Sequence, residues 1–429
     1  MAIDLHKPNG SLHQPGLRSA RRWAIFFITA ALFVLSQFHR VTIAVITPQL
    51  IADLSLSTKE LGLVSAAFFY AFAMMQIPIA VYLDRIGARR TMLILNLVAV
   101  SGGLVFAMAG SPQMLICGRV LLGIGMASNL MGTFKLISLW FTPIRFAMLT
   151  TLVFSLGTAG NIFATTPLVL LVQALGWRVA LGCVAGVNLI LTSVFYLTVR
   201  DAPQALTSSR DAPPAPSNLK HTLVGIGELF KKKDYWIIAL GTFCRYGIYA
   251  AIQALYAGPF LINVMALSPL ETGNVLLCMN LGFIVCGPLF GTLSDRVFKT
   301  CKWIIIPGLC GMALVISLFA LLPGDTGFLT LAGLFCALGV FSSSGGIMYT
   351  HIKEKLPLAK SGLAMSGINF FTMIGPAVFL QSLGFFMQQR FPGNTLGAAA
   401  FQGAFLACGL CLGVVAVLYL FTADRYRQQ

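Results

Sequence analysis

Twelve long apolar stretches, separated by short polar gaps, dominate this sequence of 429 residues. Each stretch is long enough to cross about 30 Å of hydrocarbon as an α-helix, which rises about 1.5 Å per residue. Hydrophobic residues make up 57% of the chain and charged residues 10%, against roughly 25% charged residues in a soluble domain. This composition excludes a water-soluble globule and predicts an all-α membrane protein with twelve transmembrane helices in two six-helix bundles.

The polar gaps divide the chain into five predicted parts. In order they are a cytoplasmic N-terminal tail (1–22), a first six-helix bundle (23–199), a cytoplasmic linker with a surface helix (200–234), a second six-helix bundle (235–422) and a C-terminal tail (423–429). The linker is expected because a Pro-rich run at 211–217 precedes apolar residues at helical spacing among lysines. Gly or Pro breaks are expected in the first, fourth, seventh and eleventh helices.

The net charge of +16 at pH 7 is concentrated on one side of the predicted membrane. The N-terminal tail and the loops after the even-numbered helices hold most of the Lys and Arg residues, whereas the opposite loops hold only Lys59, Arg178 and Arg390. This asymmetry follows the positive-inside rule and predicts that both termini are cytoplasmic. We therefore expect a multi-pass protein of the cell inner (plasma) membrane, in contact with the lipid bilayer and not with nucleic acid.

An internal repeat relates the two predicted bundles. A shift of 211 residues aligns four features, namely Pro48 with Pro259, Leu56-Ser57 with Leu267-Ser268, Glu60-x-Gly62 with Glu271-x-Gly273, and Asp84-Arg85 with Asp295-Arg296. One offset that preserves four features over nearly forty residues indicates two homologous halves. Parallel halves related by an axis along the membrane normal are the architecture of one large class of transporters.

Two loops and one helix carry a resemblance to a known family. The loops read Asp84-Arg85-Ile86-Gly87-Ala88-Arg89-Arg90 and Gly291-Thr292-Leu293-Ser294-Asp295-Arg296, and the fourth helix contains Arg119-Val-Leu-Leu-Gly123-Ile-Gly125. The loops resemble the signature loop of the major facilitator superfamily, and the helix is similar to its second motif. The resemblance implies that the loops form a gate that latches the outward-open state, through Asp84, Arg85, Gly87, Arg89, Arg90, Gly291, Asp295 and Arg296. Phe298 stands where the second loop would repeat Gly87, which implies a weaker second gate.

Four cations lie within predicted spans: Arg40, Arg119, Lys135 and Arg245. An ionisable group in a span costs at least about 2.5–3.5 kcal/mol on insertion scales and is therefore a candidate functional residue. Arg40 shares a helix face with Gln37, and Arg245 shares one with Tyr249 and Gln253. We predict that these five residues bind the substrate. For each arginine the alternative is bonding to backbone carbonyls or packing at the membrane interface.

Both arginine segments resemble the organophosphate:phosphate antiporters. The first, Arg40-Val-Thr-Ile-Ala-Val-Ile-Thr-Pro, is similar to their first helix, where an Arg at this place binds substrate phosphate. This implies the same role for Arg40 alone. The second, Arg245-Tyr246-Gly247-Ile248, is similar to their seventh-helix motif but lies farther from Pro259 than in that family.

Acidic residues avoid the predicted spans, since all 13 Asp and Glu residues fall in loops or at span ends. A guanidinium group pairs well with carboxylate or phosphate in bidentate geometry, so a cavity with arginines and no acid predicts an anionic substrate. His39 and Arg119 remain as candidates for coupling transport to a proton gradient. We rank anion exchange or electrogenic uniport above proton symport. A counter-anion in exchange, or a proton in symport, would be the second transported ion.

These patterns predict a secondary active transporter that moves a small organic or phosphorylated anion by alternating access, as a monomer. The alternatives are a proton-coupled carrier of neutral or zwitterionic solutes, such as amino acids or nucleosides, and a non-transporting sensor with the same fold. All ten cysteines lie in or at the edge of apolar stretches, and the sequence contains no GxxxxGK[ST] loop and no set of catalytic groups. We therefore expect no enzyme activity, no metal and no cofactor.

Overall fold

The computed structural model describes residues 15–141, 143–201, 230–354 and 358–424. Within these ranges it leaves undescribed the side chains of 15–19, Ile77, Ala80, Asp84, 143–148, Thr151, 295–296, 353–354 and 358–366. Most of the predicted linker and its surface helix, at 200–234, lie outside the described residues, as do most of the N-terminal tail and the end of the C-terminal tail.

Every regular element of the described residues is helical. The first half contains α1 (Pro15–Leu54), α2 (Thr58–Arg85), α3 (Ala88–Ala107), α4 (Pro112–Met126 and Asn129–Trp140), α5 (Pro143–Phe163 and 166–175) and α6 (177–198). The second half contains α7 (Lys233–Ala251, extended to Val264 through the π turns Ile252–Tyr256 and Phe260–Val264), α8 (Pro269–Thr292, followed by the π turn Leu293–Val297), α9 (Lys302–Phe319), α10 (Phe328–Ser343 and Gly346–Glu354), α11 (Leu358–Arg390) and α12 (Ala398–Tyr419).

These helices account for twelve membrane crossings in the part of the chain that the structure describes. Ten stretches are long and apolar enough to cross a membrane, and α2, at 28 residues, is a further helix of sufficient length. One of the ten, Leu152–Thr198, covers two crossings because the helix is interrupted at Gly176, with φ 76° and ψ 158°. This positive φ favours glycine, which has no Cβ to clash with the backbone.

Contacts at its two ends show that α6 runs antiparallel to α1. At one end, the Trp177 indole Nε1 donates a hydrogen bond to an Asp53 carboxylate oxygen at 2.9 Å. At the other end, Arg21 Nη2 donates to the Thr198 carbonyl at 3.1 Å. We call the membrane face near Arg21 and Thr198 the terminal face and the face near Asp53 the far face.

The internal repeat is visible as two equivalent helix starts at the far face. Ser57 and Glu60 form a capping box at the start of α2, and Ser268 and Glu271 form the same box at the start of α8. In each box the serine hydroxyl accepts from the backbone N–H of the glutamate, whose carboxylate accepts from the serine N–H. The aligned Ser and Glu residues thus have one structural role in both halves.

The two halves meet closely at the far face. Thr58 Oγ1 donates to Thr395 Oγ1 at 2.6 Å, which joins the start of α2 to the loop between α11 and α12. A Cβ on Gly258 of α7 would lie 2.1 Å from the Ala44 carbonyl oxygen of α1, so the backbones approach as only glycine allows. These contacts join the two halves on the far-face side of the molecule.

Breaks in the helices differ in part from the expected positions. Both α1 and α11 remain continuous through Pro48 and Pro376, whereas α4 breaks as expected. In α7 the disturbance takes the form of two π turns on either side of Gly258-Pro259. A further break separates Ser343 from Gly346 in α10.

Candidate substrate-binding site

Arg40 of α1 reaches from the first half into the second. Its side chain is buried, and Nη1 donates a hydrogen bond to the Tyr246 hydroxyl of α7 at 3.3 Å. Its guanidinium carbon lies 4.7 Å from the centre of the Phe72 ring of α2, a distance at which the ring face attracts a cation. Arg40 therefore lies between α1, α2 and α7, where the two halves face each other.

Arg245 of α7 is held within the second half. Its Nη1 donates to the Ser342 carbonyl at 2.6 Å and to Ser342 Oγ at 3.2 Å. That carbonyl lies at the break of α10, where a helix end leaves carbonyl oxygens without their i+4 partners. The Arg245 guanidinium carbon also lies 5.9 Å from the Tyr246 ring. Tyr246 thus contacts both arginines.

Both guanidinium groups keep unused hydrogen-bonding capacity. In the described part of the chain, Nε of Arg40 and Nε of Arg245 are buried without a hydrogen-bond partner, as is Oε1 of Gln37. No acidic side chain among those the structure describes forms an ion pair with either arginine. The described acidic side chains lie in loops or at helix ends: Asp53, Glu60, Asp201, Asp234, Glu271, Asp325 and Asp424. The region between the arginines is therefore electropositive.

A polar network around Tyr349 of α10 adjoins the arginines. The Tyr349 hydroxyl of α10 hydrogen-bonds Thr372 Oγ1 at 2.9 Å and Asn369 Oδ1 at 3.1 Å, both on α11. Asn369 Nδ2 donates in turn to Gln76 Oε1 of α2 at 3.3 Å, across the two halves. Tyr349 lies near both Arg40 and Arg245. Gln76 and Asn369, polar residues in apolar spans, were the signals in the sequence that pointed to this network.

Tyr249 and Gln253 face a different neighbour from Arg245. Tyr249 stacks on Phe283 of α8 with ring centres 5.6 Å apart, and Gln253 Nε2 donates to Asn280 Oδ1 of α8 at 2.7 Å. Both side chains are buried within the second half. The structure therefore brings Arg40 and Arg245 together around Tyr246. Substrate contact stays a prediction for both arginines and for Gln37, Tyr249 and Gln253.

Arg119 ties three helices of the first half together. Its side chain is 1% exposed, and it donates to the His39 carbonyl of α1 at 2.6 Å and the Val64 carbonyl of α2 at 3.3 Å. His39 is buried beside it, and its Nε2 has no partner among the described residues. Lys135, farther along α4, is half-buried. A coupling role for His39 or Arg119 stays a prediction.

The first signature loop is bound to its own half in this structure. Gly87 has φ 92°, a conformation that glycine adopts readily. The Arg89 backbone N–H donates to Asp201 Oδ1 at 2.7 Å, and Arg89 Nη2 donates to the Tyr196 carbonyl at 2.8 Å. Arg85 and Arg90 are exposed, and Gly291 is half-buried in α8. The side chains of Asp84, Asp295 and Arg296 lie outside the described residues.

Two helical halves of six crossings each are the architecture of one large class of secondary transporters. The sequence model of the Major Facilitator Superfamily matches residues 25–380 and 238–429. The chain belongs to this superfamily.

Curated relatives match nearly the whole chain. A probable sulfoacetate transporter of Cupriavidus necator is 22% identical, with 94% of each chain covered. The hexuronate transporter of Bacillus subtilis is 24% identical, with 88% of each chain covered. A probable galactarate/D-glucarate transporter of Bacillus subtilis is 23% identical and covers 93% of this chain and 92% of its own length.

Solved structures show the same fold. A bacterial homologue of the human lysosomal transporter Spinster, in an inward-facing and unoccupied conformation, has a TM-score of 0.71 at 18% identity, with 93% of this chain and 96% of that chain covered. A nucleoside transporter structure has a TM-score of 0.74 at 15% identity, with 94% of this chain and 100% of that chain covered.

Proposed function

We propose that this protein is a secondary active transporter that moves a small organic anion across the cell inner membrane by alternating access. In this proposal the terminal face is cytoplasmic, because the lysines and arginines of the loops concentrate there. The polypeptide works as a monomer with its two six-helix bundles, 23–199 and 235–422, as the moving parts.

The pair Arg40 and Arg245 carries the proposal. One buried guanidinium group comes from each half, both contact Tyr246, and neither forms an ion pair with a described acidic side chain. A buried donor without a partner costs about 1–3 kcal/mol. An anion between the two arginines would accept from their free N–H groups and neutralise their charge, so the site favours carboxylate, sulfonate or phosphate over a neutral solute.

The named substrates of the relatives support this chemistry. Sulfoacetate, hexuronate, galactarate and D-glucarate all carry at least one carboxylate, and the proteins named for them align with most of this chain. We extend the proposal to small organic carboxylates and related phosphorylated anions.

Alternating access would exchange one closed face for the other. In this proposal the far face is closed by the contact of Gly258 with Ala44 and by the hydrogen bond between Thr58 and Thr395. In the opposite state, the signature loops at the terminal face would form the latch, with Asp84 and Arg85 in the first half and Asp295 and Arg296 in the second. We favour anion exchange or uniport over proton symport, because the described acidic side chains lie in loops or at helix ends.

A binding screen followed by a flux assay tests the proposal. The thermal stability of the purified protein is measured with D-glucuronate, D-glucarate, sulfoacetate and glucose 6-phosphate, and with neutral D-glucose and D-glucuronamide as controls. We expect stabilisation by at least one anion and counterflow of that anion in proteoliposomes. Equal counterflow of a neutral analogue would refute the anion site, and binding without flux in sealed vesicles would identify a sensor instead.

A further inference from the structure

A pair of glycines lies in the break of α10, next to Arg245. The sequence there is Ser342-Ser343-Ser344-Gly345-Gly346. The Gly345 N–H donates to the Ser342 carbonyl at 3.1 Å, an i to i+3 bond that replaces the α-helical pattern. The same carbonyl accepts from Arg245 Nη1 at 2.6 Å. The break thus supplies the oxygen atom to which Arg245 is bound.

The two glycines have opposite surroundings. A Cβ built on Gly345 would lie 1.8 Å from the guanidinium carbon of Arg245 and 2.1 Å from its Nε. A Cβ built on Gly346 would meet no atom within 4 Å. Gly345 is buried and Gly346 is exposed. The Arg245 guanidinium group therefore lies directly against the Gly345 backbone, in space that any other residue would fill.

The backbone of α7 limits how Arg245 could respond to a side chain at position 345. Two residues further on, Gly247 packs against Gly375 of α11, where a Cβ would lie 2.9 Å from the Gly375 carbonyl carbon. Because α7 is packed this closely on its other side, the side chain of Arg245 would have to move and not the helix. A displaced guanidinium group would lose the Ser342 carbonyl and the position from which it faces Tyr246.

A similar contact occurs in the first half without an arginine. There, Ser36 Oγ of α1 donates to the Met126 carbonyl at 3.4 Å, at the break of α4. The first helix of each half thus donates to a carbonyl at the break of the fourth helix of that half. In the second half the donor is a cation, and Gly345 leaves the room that its larger head group needs.

We infer that Gly345 is a positioning residue for Arg245: its missing side chain sets how deeply the guanidinium group enters the α10 break, and so where the second half presents its positive charge to an anion. The transport role of this position rests on the proposed function. The position itself is a property of the structure, and it can be measured without a substrate.

The experiment compares Gly345→Ala with Gly346→Ala in the full-length protein. Phenylglyoxal, which reacts with accessible guanidinium groups, is applied to each purified variant, and modification of Arg245 is followed by mass spectrometry. We expect Gly345→Ala to raise the rate of Arg245 modification about fivefold or more, because the group is displaced from a buried site, and Gly346→Ala to leave it unchanged. Equal rates in the two variants would overturn the inference.

A transport assay separates this inference from the proposed function. It adds an Arg245→Ala variant and the Gly345→Ala/Arg245→Ala double variant. In proteoliposomes with D-glucuronate, D-glucarate and sulfoacetate as probes, Gly345→Ala is expected to raise the half-saturation concentration of the transported anion about tenfold. In an Arg245→Ala background, Gly345→Ala should raise the half-saturation concentration no further. If none of the three probes is transported by the wild type, the proposed function is weakened, while the modification rates still decide the position of Arg245.

A folding control completes the test. If Gly345→Ala alone does not fold, the double variant Gly345→Ala/Arg245→Ala should recover the yield and monodispersity of Arg245→Ala, because the side chain that clashes is gone. Failure of the double variant to recover would show that Gly345 has a role unrelated to Arg245 and would overturn the inference.

Discussion

Arg40 of α1 donates a hydrogen bond to the Tyr246 hydroxyl of α7 at 3.3 Å, which joins the first helix of one half to the first helix of the other. The ring of the same tyrosine lies 5.9 Å from the guanidinium carbon of Arg245. One aromatic side chain therefore contacts the buried cations of both halves. A movement of the halves relative to each other must change the contact between Arg40 and Tyr246.

Removal of the Tyr246 hydroxyl tests this contact. We expect Tyr246→Phe to raise the half-saturation concentration for anion counterflow about 3- to 10-fold, since a typical hydrogen bond contributes about 0.5–1.5 kcal/mol and Arg40 loses the acceptor that positions it. Tyr82→Phe, at an exposed tyrosine of α2, is the control and should behave as the wild type. An unchanged or lower half-saturation concentration in Tyr246→Phe would show that the hydrogen bond between Arg40 and Tyr246 does not position Arg40 for anion binding.

The serine that binds Arg245 allows a graded test. Ser342 offers two acceptors, its carbonyl at 2.6 Å and its hydroxyl at 3.2 Å. Ser342→Ala removes only the hydroxyl, so we expect at most about a threefold rise in half-saturation concentration. A loss of transport as large as that of Arg245→Gln would mean that the Ser342 hydroxyl, and not its carbonyl, holds the guanidinium group.

The far-face contact between α1 and α7 should control which face is open. In Gly258→Ala the new methyl group would meet the Ala44 carbonyl oxygen, where a Cβ would lie 2.1 Å away, so the halves should separate there. We expect faster labelling of a cysteine introduced at Thr47, a buried position of α1, by a membrane-impermeant maleimide added at the far face. Gly287→Ala in α8, where a Cβ would meet nothing within 4 Å, is the matched control. Equal labelling in both variants would place the closure elsewhere.

The sequence was sufficient to predict the family, the helical fold and the position of Arg40 and Arg245 within membrane spans. Charged residues in apolar spans are rare and energetically costly, so Arg40 and Arg245 can be identified from the sequence alone. Tyr246 and Tyr349 could not, because an aromatic residue in an apolar helix is typical of ordinary packing. Their role depends on hydroxyl partners in other helices, and sequence spacing does not show these partners.

The predicted wall of Arg245, Tyr249 and Gln253 assumed an uninterrupted α-helix. Arg245 and Tyr249 lie in the α-helical part of α7 and keep one face, whereas Gln253 lies in the π turn Ile252–Tyr256, where the number of residues per turn changes. Gln253 hydrogen-bonds Asn280 of α8. A helix that departs from 3.6 residues per turn is not recognisable from apolar periodicity alone.

Pro48 shows why a helix breaker need not break a helix here. Its missing N–H leaves the Ala44 carbonyl of α1 without an i+4 donor, yet α1 continues to Leu54. Gly258 of α7 lies against that carbonyl, so the freed oxygen marks a close approach of the two halves. Pro48 and Gly258 are both recognisable in the sequence, but only the folded structure shows that Gly258 lies against the carbonyl that Pro48 leaves without a donor.

The most direct test of anion binding by Arg40 and Arg245 is counterflow by arginine variants. The proteoliposomes are loaded with the anion that stabilises the wild type. Arg40→Gln and Arg245→Gln should each raise the half-saturation concentration about 10- to 100-fold, because a hydrogen bond to a charged group contributes about 1.5–3 kcal/mol. Arg390→Gln, at an exposed arginine on the far face, should match the wild type. Unchanged half-saturation in both Arg40→Gln and Arg245→Gln would contradict the claim that these arginines bind the transported anion.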